Sequence, residues 1–268
     1  MVYKNILFLI IICSITACQW GKPGKKEPVI TKDTLKYSYK TIKQRAPDCG
    51  DKPDSSCTVF QVKYPLFIDN QSLNDTVKQA IVLQFQMDDK KPDTSLRHLA
   101  QHFIKSYEED KKTDNRPGII YSLNSNVKVI RQDSSLITLE VAQQSYLGGA
   151  HGSATVAYIN WNTKTNKKMQ LSDILIDGYQ QPLNKLAERV FRKQEKLADT
   201  ASLTHGYFFK DDLFSVNDNF LVSPTGLLFY YNEYEIKPYV AGPTELLIPY
   251  SKIKSLLRPN TVVAQYHK

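Results

Sequence analysis

One stretch constrains this chain more than any other: Tyr146-Leu147-Gly148-Gly149-Ala150-His151-Gly152. Three glycines and a histidine lie between two segments that read as strands. Ile137, Leu139 and Val141 alternate with polar neighbours before it, and Thr155 to Trp161 runs extended after it. A glycine pair in such a pattern marks a bulge, a left-handed turn or a close backbone approach. The motif is therefore expected to be a fixed crossover joining two halves of the fold, with Gly148 or Gly149 at positive φ.

The N-terminus reads as an export signal. Lys4 precedes the short apolar run Ile6 to Ile12, and small residues follow. The run is too short to span a bilayer as a stable helix. Ile15-Thr16-Ala17-Cys18 resembles the bacterial lipobox, in which the cysteine is lipidated and becomes the mature N-terminus. Residues 1–17 are thus read as a signal peptide and 18–33 as a polar, lysine-rich tether. The expected location is the bacterial cell envelope, with the chain anchored to a membrane through lipid on Cys18 (palmitate among its acyl groups), on a periplasmic or extracellular face. The remainder is long enough for one large domain or two intimate subdomains.

The formal charge of +8 admits anionic partners. Export excludes nucleic acid, and the lysines are scattered rather than blocked. Of the 4 cysteines, Cys13 leaves with the signal and Cys18 takes lipid. Cys49 and Cys57 remain in a turn-rich loop, where an oxidising compartment favours a disulfide. Two cysteines without further nearby ligands make a metal site the weaker reading.

Alternation places strands at 35–42 and 58–67. Helical spacing of Leu73, Val77, Ile81 and Phe85 follows a capping Asn70, and Leu96, Leu99, Phe103 and Tyr107 make a second helix capped by Asp93 or Thr94. A hairpin spans 119–131 and 136–145, with its turn at 132–135. A short helix begins at Leu171, and a longer one runs from Pro182 to Ala198. Strands follow at 219–222, 227–231 and 245–249, then a short helix capped by Ser251. Helices and strands mixed without strict alternation argue for an α+β fold of antiparallel sheets and packed helices.

Three motifs in order resemble one family: the glycine motif, Asn160…Thr165…Leu171-Ser172-Asp173-Ile174-Leu175, and Tyr234-Glu235-Ile236-Lys237-Pro238-Tyr239-Val240-Ala241-Gly242. Together they resemble the RsiV-like domain of unknown function, which includes the extracellular part of a lysozyme-sensing anti-sigma factor. The resemblance implies a C-terminal domain over 146–268 and a companion subdomain over 34–145, of the kind found ahead of some peptidoglycan deacetylases. It also implies envelope work near peptidoglycan or a lysozyme-type muramidase. Neither inward signalling nor the deacetylase catalytic domain is expected here.

Candidate chemistry is sparse. His151 beside Ser145 or Ser153 is a candidate general base, but the sequence shows no orienting acid or oxyanion hole. His98 and His102 share a helix face without the glutamate of zinc proteases; surface histidines are the favoured reading. Glu233 and Glu235 share a face if their segment is extended, a pairing known from glycoside hydrolysis. Tyr234, Glu235 and Tyr239 are the candidate binding residues, because tyrosine supplies rigid area with a polar tip. Gly148-Gly149 lacks the spacing and lysine of a phosphate loop, and no cofactor or metal is expected. The reading is a non-catalytic binding domain; the alternative is an envelope hydrolase or deacetylase-like enzyme centred on His151.

Overall fold

The computed structural model describes residues 35–86, 92–113 and 118–266. The signal segment, Cys18 and the tether lie outside the described residues. Strand β1 (Tyr37–Arg45) extends the expected alternation by three residues and pairs antiparallel with β2 (Val59–Phe67), from Tyr37 opposite Phe67 to Arg45 opposite Val59. In the intervening loop Cys49 and Cys57 lie at disulfide geometry, with Cα atoms 5.4 Å apart. Asp48 of the same loop accepts from Lys111 and, at 2.8 Å, from the Tyr107 hydroxyl, which ties the loop to the second helix.

Helix α1 (Gln71–Gln84) starts as its sequence dictates: Asn70 Oδ1 accepts from the Leu73 amide at 3.0 Å. Its buried face is Leu73, Val77 and Ile81. Helix α2 (Leu96–Thr113) is capped by Ser95, whose Oγ accepts from the His98 amide at 3.1 Å, and not by Asp93 or Thr94. Asp93 instead turns inward, its Oδ1 taken up by two histidine rings. The chain then enters β3 (Tyr121–Gln132), parallel to β2, so α1 and α2 form the crossover a parallel pair requires.

β3 turns into β4 (Leu136–Leu147) through Asp133, and β4 into β5 (Ser153–Asn162), both antiparallel; the two-residue β6 (Lys167–Lys168) completes a six-stranded sheet in sequential order. This corrects the expectation for the glycine motif. Ser145 pairs with Ser153, so the motif is the tip of the β4–β5 hairpin within one sheet rather than a crossover between halves. Both flanking segments alternate, and alternation alone does not say whether two strands share a sheet.

The second half holds α3 (Leu171–Ile174), α4 (Gln180–Gln194) and a three-stranded antiparallel sheet of β7 (Phe220–Val222), β8 (Gly226–Tyr231) and β9 (Thr244–Pro249), followed by α5 (Tyr250–Ile253). Helix α4 stops short of Ala198. Lys196 takes a left-handed φ of 56°, the Leu197 amide donates to Arg192 O at 2.8 Å and the Lys196 amide to Lys193 O at 3.3 Å. That is a Schellman ending without the usual glycine, so no residue signalled it. Ser251 is not a cap either; Pro249 occupies that position and α5 begins at Tyr250.

Within the unit Thr31–Lys268 two apolar clusters form. One gathers Phe60, Leu99, Phe103 and Trp161 under the large sheet; the other gathers Leu183, Phe191, Phe229, Tyr231 and Leu246 between α4 and the small sheet. Each such fully buried side chain contributes about 1.5–3 kcal/mol. Asparagines stitch the two sheets where strands do not pair. Asn160 Nδ2 donates to Phe220 O at 2.7 Å and its Oδ1 accepts from the Val222 amide at 2.9 Å. Asn219 reciprocates, accepting from the Tyr158 amide at 2.9 Å and donating to Val156 O at 2.8 Å, and Asn232 Oδ1 accepts from the Val156 amide at 2.7 Å. A primary amide mimics a peptide group, so these side chains satisfy a strand edge that would otherwise be buried unpaired.

Candidate functional site

Two loops converge. The first is the β4–β5 hairpin tip. Gly148 takes φ +73°, and a Cβ there would meet Ile119 Cδ1 at 2.6 Å; a Cβ on Gly152 would meet Ser145 O at 2.9 Å. The tip therefore closes only with glycine at these positions, and it projects His151 to the surface. The second is the loop after β8. Tyr231 is 1% exposed, its hydroxyl donating to Ser215 O at 2.9 Å, so it anchors the loop from below. The Glu235 carboxylate accepts from the Asn232 amide at 2.8 Å and from Asn217 Nδ2 at 2.7 Å. Ile236 is buried, and Lys237 pairs with Glu195 at 3.1 Å.

These anchors hold Tyr234 and Tyr239 against His151. His151 and Tyr239 have centroids 4.2 Å apart with planes 18° apart; Tyr234 lies 5.5 Å from Tyr239 at 26°. His151 Nδ1 is 2.8 Å from Gly152 O, and its Nε2 is 3.3 Å from the Tyr234 hydroxyl. A carbonyl only accepts, so Nδ1 carries the hydrogen, and in the neutral ring Nε2 accepts from Tyr234. Tyr234 is 57% exposed, at a left-handed φ of 64° that a tyrosine adopts only when its surroundings impose it, and Val240 beside Tyr239 is 93% exposed. The result is a near-parallel set of three rings, open to solvent and fixed on two loops.

His151 is bonded to a carbonyl and a phenol, and neither Ser145 nor Ser153 is its partner. Glu233 and Glu235 do not share an extended face, because Tyr234 between them turns left-handed and both Glu235 oxygens are committed to loop amides. His98 and His102 sit with Nδ1 at 2.8 and 3.3 Å from Asp93 Oδ1, a carboxylate buried at the start of α2. Among the described residues no group of three such side chains is arranged to hold a metal ion, and no helix is long and apolar enough to cross a membrane. A polar groove of about 850 Å³ lined by Lys164, Lys167, Lys168 and Asp173 lies apart from the three rings. Nothing local marks Asn217, Asn219 and Asn232 as bridges: the first two flank Asp218 between Val216 and Phe220, the third stands between Tyr231 and Glu233, and all three read as ordinary turn asparagines.

Fold and site together define a mixed α+β domain with an aromatic surface built from two loops. Comparison with known proteins fits that class. Residues 52–154 match the family Deacetylase PdaC, and residues 172–251 match the family Protein of unknown function (DUF3298). The chain is 21% identical over 174 residues to the peptidoglycan-N-acetylmuramic acid deacetylase PdaC of Bacillus subtilis, a match covering 63% of this chain and 37% of that protein. It thus spans well under half the length of that relative. Two crystal structures of DUF3298 family members share the fold. The one from Bacteroides fragilis has a TM-score of 0.66 at 22% identity, over 88% of this chain and 99% of that one. The one from Pseudomonas aeruginosa has 0.65 at 23%, over 84% and 95%.

Proposed function

We propose that this chain is a lipid-anchored, non-catalytic binding domain of the bacterial cell envelope, and that the rings of His151, Tyr234 and Tyr239 contact the glycan of peptidoglycan. The observation that carries this is the prearranged near-parallel ring set on two pinned loops. Rings held rigid before binding lose little conformational entropy on contact, and their faces suit the apolar face of a sugar while the phenol tips supply hydrogen bonds. The match to a peptidoglycan deacetylase supports the ligand class, and the lipobox at Cys18 supports the anchor. The enzyme alternative centred on His151 is not favoured, because both ring nitrogens are committed within the loops.

The test is sedimentation of the chain with insoluble peptidoglycan. Retention that soluble muropeptides compete away supports the reading; recovery wholly in the supernatant overturns it. Mass spectrometry of the mature N-terminus tests the anchor, with a diacyl or triacyl Cys18 expected and an unmodified cysteine refuting it.

A second reading has a protein, a lysozyme-type muramidase, on the same surface. It draws on the RsiV-like resemblance and on Val240, whose bare apolar side chain suits a protein contact better than a sugar. Calorimetric titration with lysozyme separates the two: saturable heat with no retention on peptidoglycan selects the muramidase.

A further inference from the structure

The small sheet ends in an open edge, and that edge lies in a charged groove. The Tyr230 amide donates to Asn219 O at 2.9 Å, and Gly226 O accepts from the Ser223 amide at 3.0 Å. Hence Gly226, Leu228 and Tyr230 point their peptide groups toward β7, while Leu227, Phe229 and Tyr231 bond to β9. The partners of those three are Ile248, Leu246 and Thr244. The peptide groups of Glu245 and Leu247 therefore face away from β8. Gln194 Nε2 occupies the Glu245 carbonyl at 3.1 Å, which independently places that carbonyl on the outer side. Pro249 ends the edge, since it has no N–H.

The groove beside this edge has a volume of about 570 Å³ and is lined by Leu186, Arg189, Val190 and Lys193 of α4 together with Leu247, Pro249 and Lys252. Leu186 and Val190 stand one helical turn apart and make an apolar floor. Arg189, Lys193 and Lys252 enter no ion pair among the described residues. An open strand edge is ordinarily blunted or covered. Cations and a proline are common at such edges; what sets this one apart is the apolar strip of Leu186, Val190 and Leu247 in the same groove as the cations.

We propose that this groove takes an extended acidic segment of a partner polypeptide, which adds as a short strand to the outer edge of β9. Main-chain hydrogen bonds to Leu247 and the Glu245 amide set its register, Leu186 and Val190 receive its apolar side chains, and Arg189, Lys193 and Lys252 receive its carboxylates. A lipid surface would use the cations but not the peptide groups of the edge, which is why the polypeptide is the favoured occupant.

The experiment uses the full chain and an N-acetylated octapeptide alternating valine with glutamate, followed by fluorescence anisotropy at ~0.15 M salt, near the ionic strength at which exposed charges are well screened. Saturable binding is expected, with slowed hydrogen exchange at the Leu247 amide. N-methylation of alternate peptide amides, which keeps the charge and removes the ladder donors, should weaken it at least ten-fold, as should Arg189→Glu with Lys193→Glu. Both changes lie on exposed helix positions, and an unshifted thermal midpoint certifies the fold. No binding, or equal binding of the N-methylated peptide, overturns the proposal. So does a chain that ignores the peptide but binds vesicles of anionic phospholipid through the same cations.

Discussion

His151 lies face to face with Tyr239, their centroids 4.2 Å apart and their planes 18° apart, although one belongs to a hairpin tip of the large sheet and the other to a loop after the small one. Removing the tyrosine ring should therefore remove the middle contact of a three-ring surface, since Tyr239 stacks on both His151 and Tyr234. Tyr239→Ala is expected to weaken retention on peptidoglycan about ten-fold, the ~1.4 kcal/mol typical of a lost aromatic anchor, while Tyr239→Phe stays near wild type. Co-sedimentation isotherms check both. Equal retention by all three proteins would place the contact elsewhere.

Gly148 is left-handed and crowded by Ile119; Gly149 is neither. Gly148→Val should lower stability by more than about 1 kcal/mol, and Gly149→Val by clearly less. Urea denaturation midpoints for the pair decide it.

Asn160 is buried, and its amide serves both Phe220 O and the Val222 amide. Asn160→Leu leaves those two peptide groups without partners, at roughly 1–3 kcal/mol each. Chemical denaturation is expected to show a loss of about 2–6 kcal/mol, well beyond what a surface Asn substitution produces.

Asp133 joins the β3–β4 turn to the C-terminal segment. Its Oδ1 accepts from the amides of Ser135 at 2.9 Å and Leu136 at 2.8 Å, and its Oδ2 from the Tyr266 hydroxyl at 2.9 Å. Burial alone would raise its carboxyl, but the hydrogen bonds from Ser135, Tyr266 and Leu136 together outweigh that and hold it below the usual carboxylate range. The unfolded state therefore takes up the proton first. The stability Asp133 confers is complete above the unfolded carboxyl pKa of about 3.9 and is lost as pH falls through the lower folded value. Stability curves from pH 7 downward should drop less steeply in acid for Asp133→Asn than for wild type, with the variant weaker throughout at neutral pH.

Cys49 and Cys57 should resist alkylation in the folded, unreduced protein. Reduction should cost roughly 2–3 kcal/mol, the chain-entropy value for a short loop. Thiol counting by mass spectrometry checks the first and thermal melts the second.

Much of the secondary structure was legible in the sequence. Period-two alternation found the strands, and period-3.6 spacing with Asn70 found α1, because each pattern reports the single face that a strand or helix buries. Local signals failed where two readings were locally equivalent. Ser95 capped α2 because Asp93 was drawn to His98 and His102. Lys196 ended α4 in a conformation that glycine usually marks.

The sequence by itself determined where most strands and helices lie, that Gly148 or Gly149 must turn, and that the region around Tyr234 and Tyr239 is an aromatic loop; which of its tyrosines are exposed was left to the fold, which buries Tyr231 and bares Tyr234. Only the tertiary structure decided that the glycine motif is a hairpin tip, that Asn160, Asn219 and Asn232 stitch the sheets, and that His151 meets Tyr239. The reason is physical. Backbone preference and hydrophobic period act over a few residues and leave their mark in the local order of side chains. A ring stack or an amide bridge between distant segments depends on how two packed cores bring separate strands together, and no residue near either partner in sequence carries that information.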